Sequence, residues 1–369
     1  MTTIRPMRRD DVPAAAALFE RRSRSGTTEA PAALVSFLER QSFDAPWRDD
    51  DLPSLVAEDR DGRLIGFQAV NPRRLRVDSR PVRLACGGPM VIDPDHPGTG
   101  ILLTRAFLAG PQEVTLTDGA SDSMHHLWTT LRGRVRVAAS FQWQRILRPG
   151  GAVAALLRER GRALPRPAGR AVAAGDGPLR RLPRVGGRLR ATPPEDLTAE
   201  PLTVEALLEQ MSTAPRRWRL FPDYDERYLR WLFDELEAVT PVRGRLVAHL
   251  VRTGAGRVAG WYVYFLPVGG TAQVQQIAST GPDPGPVLDH LLAHADAHGA
   301  AAVAGRVEPS LVAAVRRRRC LIRPATWSLV NADDDGLLGL LESSDALLTR
   351  LDGEWWMAPH LLWRGGNPA

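Results

Sequence analysis

Between residues 148 and 190 the sequence loses the periodic patterns that a helix or strand imposes. The stretch RPGGAVAALLRERGRALPRPAGRAVAAGDGPLRRLPRVGGRLR is built from Gly, Pro, Ala and Arg, with Glu159 and Asp176 its only acids. Residues 151–162 carry a short helical pattern, which Pro165 and Pro167 stop. The rest reads as an interdomain connection. A chain of 369 residues, 44% of them apolar, has enough material for one core on each side of it. The sequence therefore predicts a first domain over 1–150, a linker over 151–195 and a second domain over 196–369.

Both sides show the same order of elements. In the first half a short strand at 3–5 precedes helices from about residue 10 and over 31–40. Strands follow on either side of Asp59 and Gly62, whose Asp-Gly pair signals a hairpin. A longer strand, RPVRLACGGPMVIDP, carries an irregularity at Gly87 and Gly88. A helix from Gly100, a strand at 113–117, a helix at 121–131 and strands from 135 to 147 complete the half. The second half repeats the order with other residues: helices at 204–211 and in YDERYLRWLFDELE, the strands RLVAHLVRT, RVAGWYVYFLPV and AQVQQIAS, a helix at 287–298, the strand AAVAGRV, a helix at 310–317, the strand TWSLVN and a helix at 336–349. LDGEWWM is expected to close the second core. Repetition on this scale predicts two copies of one fold.

Composition narrows the function classes. No run approaches the ~18 to 20 consecutive apolar residues of a membrane span. The opening MTTIRPMRRDDVP lacks the apolar core of a secretory signal. Cys86 and Cys320 are too few for a disulfide framework or a four-cysteine zinc site. A cytoplasmic protein without membrane partner is expected. The formal charge of +6 invites a nucleic-acid reading, but all 48 basic residues are arginine. With Asn rare and Ala, Gly and Pro abundant, arginine reflects GC-rich coding, so nucleic acid is not expected as a partner. His290, His294 and His298 recur on one helix face. No carboxylate or cysteine is placed beside them, and no metal is expected.

The segment that carries chemistry is GGPMVIDPDHPGTGILLTRAFL, residues 87–108. A strand ends at Asp93-Pro94, a glycine-containing turn follows, and a helix begins. Gly98 and Gly100 let the backbone approach a ligand. The N–H groups of Gly98, Thr99, Gly100 and Ile101 would form the positive end of a helix, a ready cradle for a diphosphate.

This half resembles the GNAT family of acyl-CoA-dependent N-acyltransferases, whose fourth strand runs into a pyrophosphate loop of the form [QR]xxGx[GA]. Here that loop is Asp95-His96-Pro97-Gly98-Thr99-Gly100: both glycines match, and Asp95 stands in place of Gln or Arg. SDSMHHLWTTLRG resembles the family's second helix through Leu127, Leu131 and Gly133, with Ser121 for its Asn and Trp128 for its tyrosine. The second half looks like a further copy, with Gly281 and Gly285 in its loop and Pro282, Pro284 and Pro286 removing N–H donors. The resemblance implies two tandem α/β domains, each a mixed, mostly antiparallel sheet flanked by helices. It also implies that acetyl-CoA or another acyl-CoA is bound as co-substrate by Met90, Val91, Ile92, Gly98, Thr99, Gly100 and Ile101, with the second copy degenerate for CoA.

Acyl transfer to an amine needs a base. Asp93, Asp118 and His126 are the candidates carried forward; Glu58, Asp122 and His125 sit at comparable element ends. Trp128 cannot replace a tyrosine as general acid and is expected to pack. Cys86 in LACGG reads as an inert buried thiol. The expected function is transfer of an acyl group, acetyl first, from acyl-CoA to an amine of a small molecule or peptide. The alternatives are a non-catalytic acyl-CoA-binding scaffold and a Fem-like transferase using aminoacyl-tRNA.

Overall fold

The computed structural model describes residues 2–23, 29–159, 161, 162, 165, 169, 172 and 174–357. Its strands, in chain order, are β1 (Thr3–Pro6), β2 (Leu55–Glu58), β3 (Leu64–Val77), β4 (Arg80–Ile92), β5 (Val114–Ala120), β6 (Arg134–Val135), β7 (Phe141–Ile146), β8 (Leu197–Pro201), β9 (Leu220–Pro222), β10 (Arg245–Thr253), β11 (Val258–Leu266), β12 (Thr271–Ser279), β13 (Ala302–Arg306), β14 (Leu321–Pro324) and β15 (Trp327–Asn331). One sheet runs β1-β2-β3-β4-β5-β15-β6, with β9 on β3; the other runs β14-β7-β13-β12-β11-β10-β8. Each is antiparallel except at one pair, β4 with β5 and β12 with β13. The fold is α/β, two mixed, mostly antiparallel sheets flanked by helices.

The halves exchange strands. β7, from the first half of the sequence, pairs with β13 and β14 in the second sheet. β15, from the second half, pairs with β5 and β6 in the first. The linker thus divides the chain but not the sheets. Alternation of side chains identifies a strand, whereas its partner depends on what its buried face fits. On β7 the fully buried Trp143 lies over Gly305 of β13, where a Cβ would come within 2.8 Å of the indole. Leu329 and Val330 of β15 are buried in the first sheet's clusters.

In the linker, helix Pro149–Glu159 meets the helical pattern at 151–162, whereas helices Asp176–Arg181 and Pro183–Leu189 form where the sequence shows no pattern. The buried Asp176 carboxylate accepts the Gly150 and Gly151 N–H groups at 2.7 and 2.9 Å, capping the first of these helices from 25 residues downstream. Arg180 pairs with Asp296 at 2.8 Å. The segment is held by caps and ion pairs from distant residues, which a local pattern does not show.

The largest core joins both halves. Leu18, Leu34 and Phe67 share one cluster with Tyr228, Leu232, Trp261 and Trp356. Helix Gly285–Ala297 packs its buried Leu288, Leu291 and Leu292 on the second sheet, and Leu337 and Leu341 of helix Asp335–Leu341 pack on the first. No helix among the described residues is long and apolar enough to cross a membrane.

Candidate active site

β4 and β5 pair only from Leu84–Val114 to Cys86–Leu116. Just beyond, β4 bulges: Gln68 faces Met90 and Val70 faces Gly87, so Gly88 and Pro89 together oppose Ala69. A bulge adds a residue on one strand, bends it and ends regular pairing, and Pro89 has no N–H to restore it. The two strands separate, and the edge of β4 that β5 no longer covers turns alternate N–H groups into the gap. A cavity of about 390 Å³ opens there, lined by Gly88, Pro89, Met90, Thr117, Gly119 and Glu354 among others.

Glu354 comes from the far end of the described chain. A turn sets it in place: the buried Asp352 carboxylate accepts the Thr349 N–H at 2.7 Å and its hydroxyl at 3.0 Å, and also takes the Tyr224 hydroxyl. The Arg73 guanidinium donates to the Asp352 carbonyl at 3.1 Å. The Glu354 carboxylate then reaches β5, accepting N–H groups of Asp118 at 2.9 and 3.0 Å and of Gly119 at 2.9 Å, and the Thr117 hydroxyl. The Cys86 thiol donates to it at 3.2 Å. Burial, then the neighbouring Asp118 carboxylate, push the Glu354 carboxyl well above the usual range, against the N–H and hydroxyl donors that pull it down. A half-buried carboxyl of raised proton affinity facing a cavity is a candidate for proton transfer.

Of the expected bases, the structure brings one to this place. Asp118 is buried and accepts the N–H groups of Glu354 and Trp355 at 3.0 and 2.9 Å, with Arg306 at 3.4 Å. It holds the segment that carries Glu354. Asp93 lies at the end of β4, paired with Arg63 at 2.9 Å and accepting the Asp95 N–H at 3.1 Å, a turn-forming role away from the cavity. His126 is exposed on helix Asp122–Thr130 and does not line the cavity. Cys86 is fully buried, and its thiol is pushed up by that burial, which leaves it unreactive.

The expected cofactor residues divide as well. Met90 lines the cavity. Val91 and Ile92 pair with Phe67 and Gly66 at the end of β4. Gly98 caps helix Thr99–Leu108, and a Cβ there would meet nothing within 4 Å. Gly100 is packed: a Cβ there would lie 2.6 Å from the end of the Ile92 side chain. Two of the four cradle N–H groups are used inside the turn, Thr99 to the His96 carbonyl at 3.1 Å and Ile101 to the Gly98 carbonyl at 3.2 Å. In the second half, Asp283 accepts the Gly285 N–H at 2.9 Å and pairs with Arg317, putting a carboxylate at the start of helix Gly285–Ala297. Trp128 is buried and donates its indole N–H to the Val330 carbonyl at 3.2 Å.

Three histidines are engaged with tyrosines, and His298 bonds the His294 carbonyl at 2.8 Å. His249 and His290 bond the Tyr262 hydroxyl at 3.0 and 3.1 Å, and His294 bonds that of Tyr264 at 2.6 Å. Among the described residues no cluster of His, Cys, Asp and Glu is arranged to hold a metal ion.

No family model matches the sequence, and no curated protein does so at significant similarity. Solved structures do match. The GCN5-related N-acetyltransferase from Anabaena variabilis superposes with a TM-score of 0.54 at 10% identity, covering 91% of this chain and 74% of that one. The GCN5-related N-acetyltransferase from Kribbella flavida gives 0.53 at 11%, covering 90% and 72%. A conserved protein of unknown function from Enterococcus faecalis gives 0.53 at 9%, with the same coverage. The chain has the GCN5-related N-acetyltransferase fold. Identities this low establish the fold alone; in this GNAT fold the reaction is argued from the cavity between β4 and β5.

Sequence reasoning missed Glu354. The signal present was two acids, Asp352 and Glu354, set among Leu351, Trp355 and Trp356. Such acids in an apolar segment must be bound by donors wherever the segment is buried.

Proposed function

We propose that this protein is an acyl-CoA-dependent N-acyltransferase, with one acyl-CoA site at the separation of β4 and β5 and Glu354 as its base. The observation that carries this reading is the Glu354 carboxyl at the foot of the cavity where the two strands part. An extended pantetheine can lie along the β4 edge, whose N–H groups near Met90 would polarise the thioester carbonyl. Gly98 leaves open space at the start of the following helix for the diphosphate. The carboxylate at the corresponding helix of the second half disfavours a second site there.

In this reading the amine nitrogen attacks the thioester carbon and the C–S bond breaks. Glu354 takes the proton from the amine and returns it to the departing thiolate. One carboxyl of raised affinity serves both steps, which suits a site without a phenol. All four tyrosines are buried, and none lines this cavity. Acetyl-CoA is the first donor to test. Thiol release from acetyl-CoA over a panel of amines, in the full chain and in Glu354→Gln, decides the matter. Release that depends on an amine and is lost in the variant supports the reading. Tight acetyl-CoA binding with no release over the panel makes the protein a scaffold instead.

A further inference from the structure

On the other side of Trp355 from Glu354 lies a second cavity, of about 460 Å³. The two cavities share Arg243, Thr326 and Trp355 in their walls. The second is strongly basic: Arg158, Arg243, Arg323 and Arg350 line it, and no carboxylate does so among the described residues. The hydrogen-bond partners of Arg158, Arg243 and Arg323 are neutral. Arg158 donates to the Gly269 carbonyl at 3.5 Å, and Arg243 donates to the Trp355 and Trp356 carbonyls at 2.6 and 3.3 Å. The Gln142 amide, turned so that its oxygen faces Arg323, accepts from that guanidinium at 2.7 and 2.8 Å. Arg243 and Arg350 both stack on the Trp355 ring at 4.2 Å.

Arg350 is only 2% exposed, and its Nη1 has no hydrogen-bond partner. Asp118 and Glu308 act on it from behind the cavity, but both already face Arg306, at 3.4 and 3.8 Å. Burial pulls the Arg243 and Arg350 guanidiniums down to about 10. Like charges gathered away from water, with the nearest carboxylates already shared with Arg306, are costly, and a bound anion would offset the cost. Planar guanidinium groups match the two oxygens of a carboxylate or phosphate. A volume near 460 Å³ suits a small molecule.

We infer that this cavity seats the acidic group, a carboxylate or a phosphate, of the molecule whose amine is acylated at Glu354. The acceptor is then an anionic amine, its charged end on Arg323 and Arg350 and its nitrogen beyond Trp355. This specificity rests on the acyl-transfer reading; the anion site itself does not, and the two are tested separately.

The first arm measures binding alone. Inorganic phosphate and citrate are titrated calorimetrically into the full chain, into Arg323→Gln and into Arg158→Gln. At least one probe is expected to bind, about tenfold more weakly in Arg323→Gln and a few-fold more weakly in Arg158→Gln, with unchanged thermal midpoints. Acetyl-CoA affinity is expected to stay the same in both variants. No binding of either probe, or binding equal in all three proteins, overturns the site. Loss of acetyl-CoA affinity in Arg323→Gln, with phosphate displaced by acetyl-CoA, assigns the cavity to the donor's phosphates and overturns the acceptor proposal.

The second arm measures thiol release from acetyl-CoA with glucosamine 6-phosphate against glucosamine, and with glutamate against glutamine. The anionic member of at least one pair is expected to have a kcat/KM at least tenfold higher, a preference lost in Arg323→Gln. Preference for the neutral member of both pairs overturns the acceptor class. Anion binding that is lost in Arg323→Gln, without thiol release from any of the four amines, upholds the anion site and overturns its coupling to acyl transfer.

Discussion

Glu354 and Asp118 exchange hydrogen bonds. The Glu354 carboxylate accepts the Asp118 N–H at 2.9 and 3.0 Å, and the Asp118 carboxylate accepts the Glu354 N–H at 3.0 Å. Residues 236 apart in sequence are thereby locked in register, and the two carboxyl groups are brought close enough for each charge to oppose the other. The exchange fixes the carboxyl proposed as the base and adds to burial in raising its proton affinity.

Replacing Glu354 with Gln keeps an acceptor for the β5 N–H groups and removes the base. Turnover is expected to fall by about 100-fold or more, the usual weight of general base catalysis, with acetyl-CoA affinity changed little. The wild-type pH profile should show an acidic limb well above the ordinary carboxylate range near ~4.3, because activity is lost as pH falls through the raised Glu354 value. A profile without that limb, or a variant with wild-type turnover, would remove Glu354 from the reaction.

Asp118 tests positioning. In Asp118→Ala the N–H groups of Glu354 and Trp355 lose their acceptor, and the buried Arg306 loses a carboxylate. Breaking such a buried pair costs about 3 to 5 kcal/mol. Asp118→Asn keeps an oxygen for the N–H groups and should recover much of that loss. Because it also removes the Asp118 charge, which adds to burial in raising Glu354, its acidic limb should move to lower pH. Urea denaturation and the pH profile of the two variants separate the roles; an unmoved limb in Asp118→Asn would deny the coupling.

How far the sequence shows this depends on how local each cause is. The irregularity expected at Gly87 and Gly88 falls at the β4 bulge, because glycine and Pro89 state their backbone needs in place. The helix after Gly98 follows for the same reason. The exchange of β7 and β15 was not legible, since Trp143 finds its place over Gly305 and no residue near either one says so. Asp93 and Asp118 look alike in sequence, each a carboxylate near a strand end. Only the arrival of Glu354 from the far end of the described chain gives Asp118 its task, while Asp93 stays with Arg63.

Trp128 and Gly133 form one packing unit. A Cβ on Gly133 would lie 1.8 Å from the Trp128 ring, and the Gly133 N–H donates to the Trp128 carbonyl at 2.9 Å. Gly133→Ala should cost about 1 to 3 kcal/mol by overpacking, and less in a Trp128→Phe background, where the smaller ring leaves room. Trp128→Phe alone removes the bond to the Val330 carbonyl, worth about 1 kcal/mol, and should keep turnover within a few-fold. A double-mutant cycle by denaturation measures the coupling; purely additive costs would show that the two do not share the space.

The two loop glycines should behave differently. Gly98 has an ordinary helical φ of −72° and open space where a side chain would be. Gly98→Tyr is expected to fold normally and to weaken acetyl-CoA binding at least tenfold, by filling the diphosphate's place. Gly100→Ala must displace Ile92, so its first effect should be on the thermal midpoint. Unchanged acetyl-CoA affinity in Gly98→Tyr, read by calorimetry, would move the diphosphate elsewhere.

The histidine and tyrosine cluster contributes to the loss of stability in acid. Burial, then the positive charge of His298, His249, Arg245 and His290, pull the His294 imidazole down to about 3. His249 and His290 shift the same way, burial first. His294 is therefore neutral near pH 7 in the folded protein, bonded to the Tyr264 hydroxyl. An unfolded histidine takes up its proton near ~6.5, so between that pH and about 3 the unfolded chain binds more protons than the folded one. Stability contributed by His294 is therefore fully present above ~6.5 and is lost progressively as pH falls through this window. His294→Gln cannot titrate but keeps a polar partner for Tyr264. It should lose about 1 kcal/mol at pH 7, the net worth of a hydrogen bond, and show a shallower fall between pH ~6 and ~4.5, by up to one proton taken up on unfolding. Urea denaturation of both proteins across that range gives the two slopes. Equal slopes would mean that His294 is already protonated in the folded state, and that its bond to Tyr264 is made by the imidazolium.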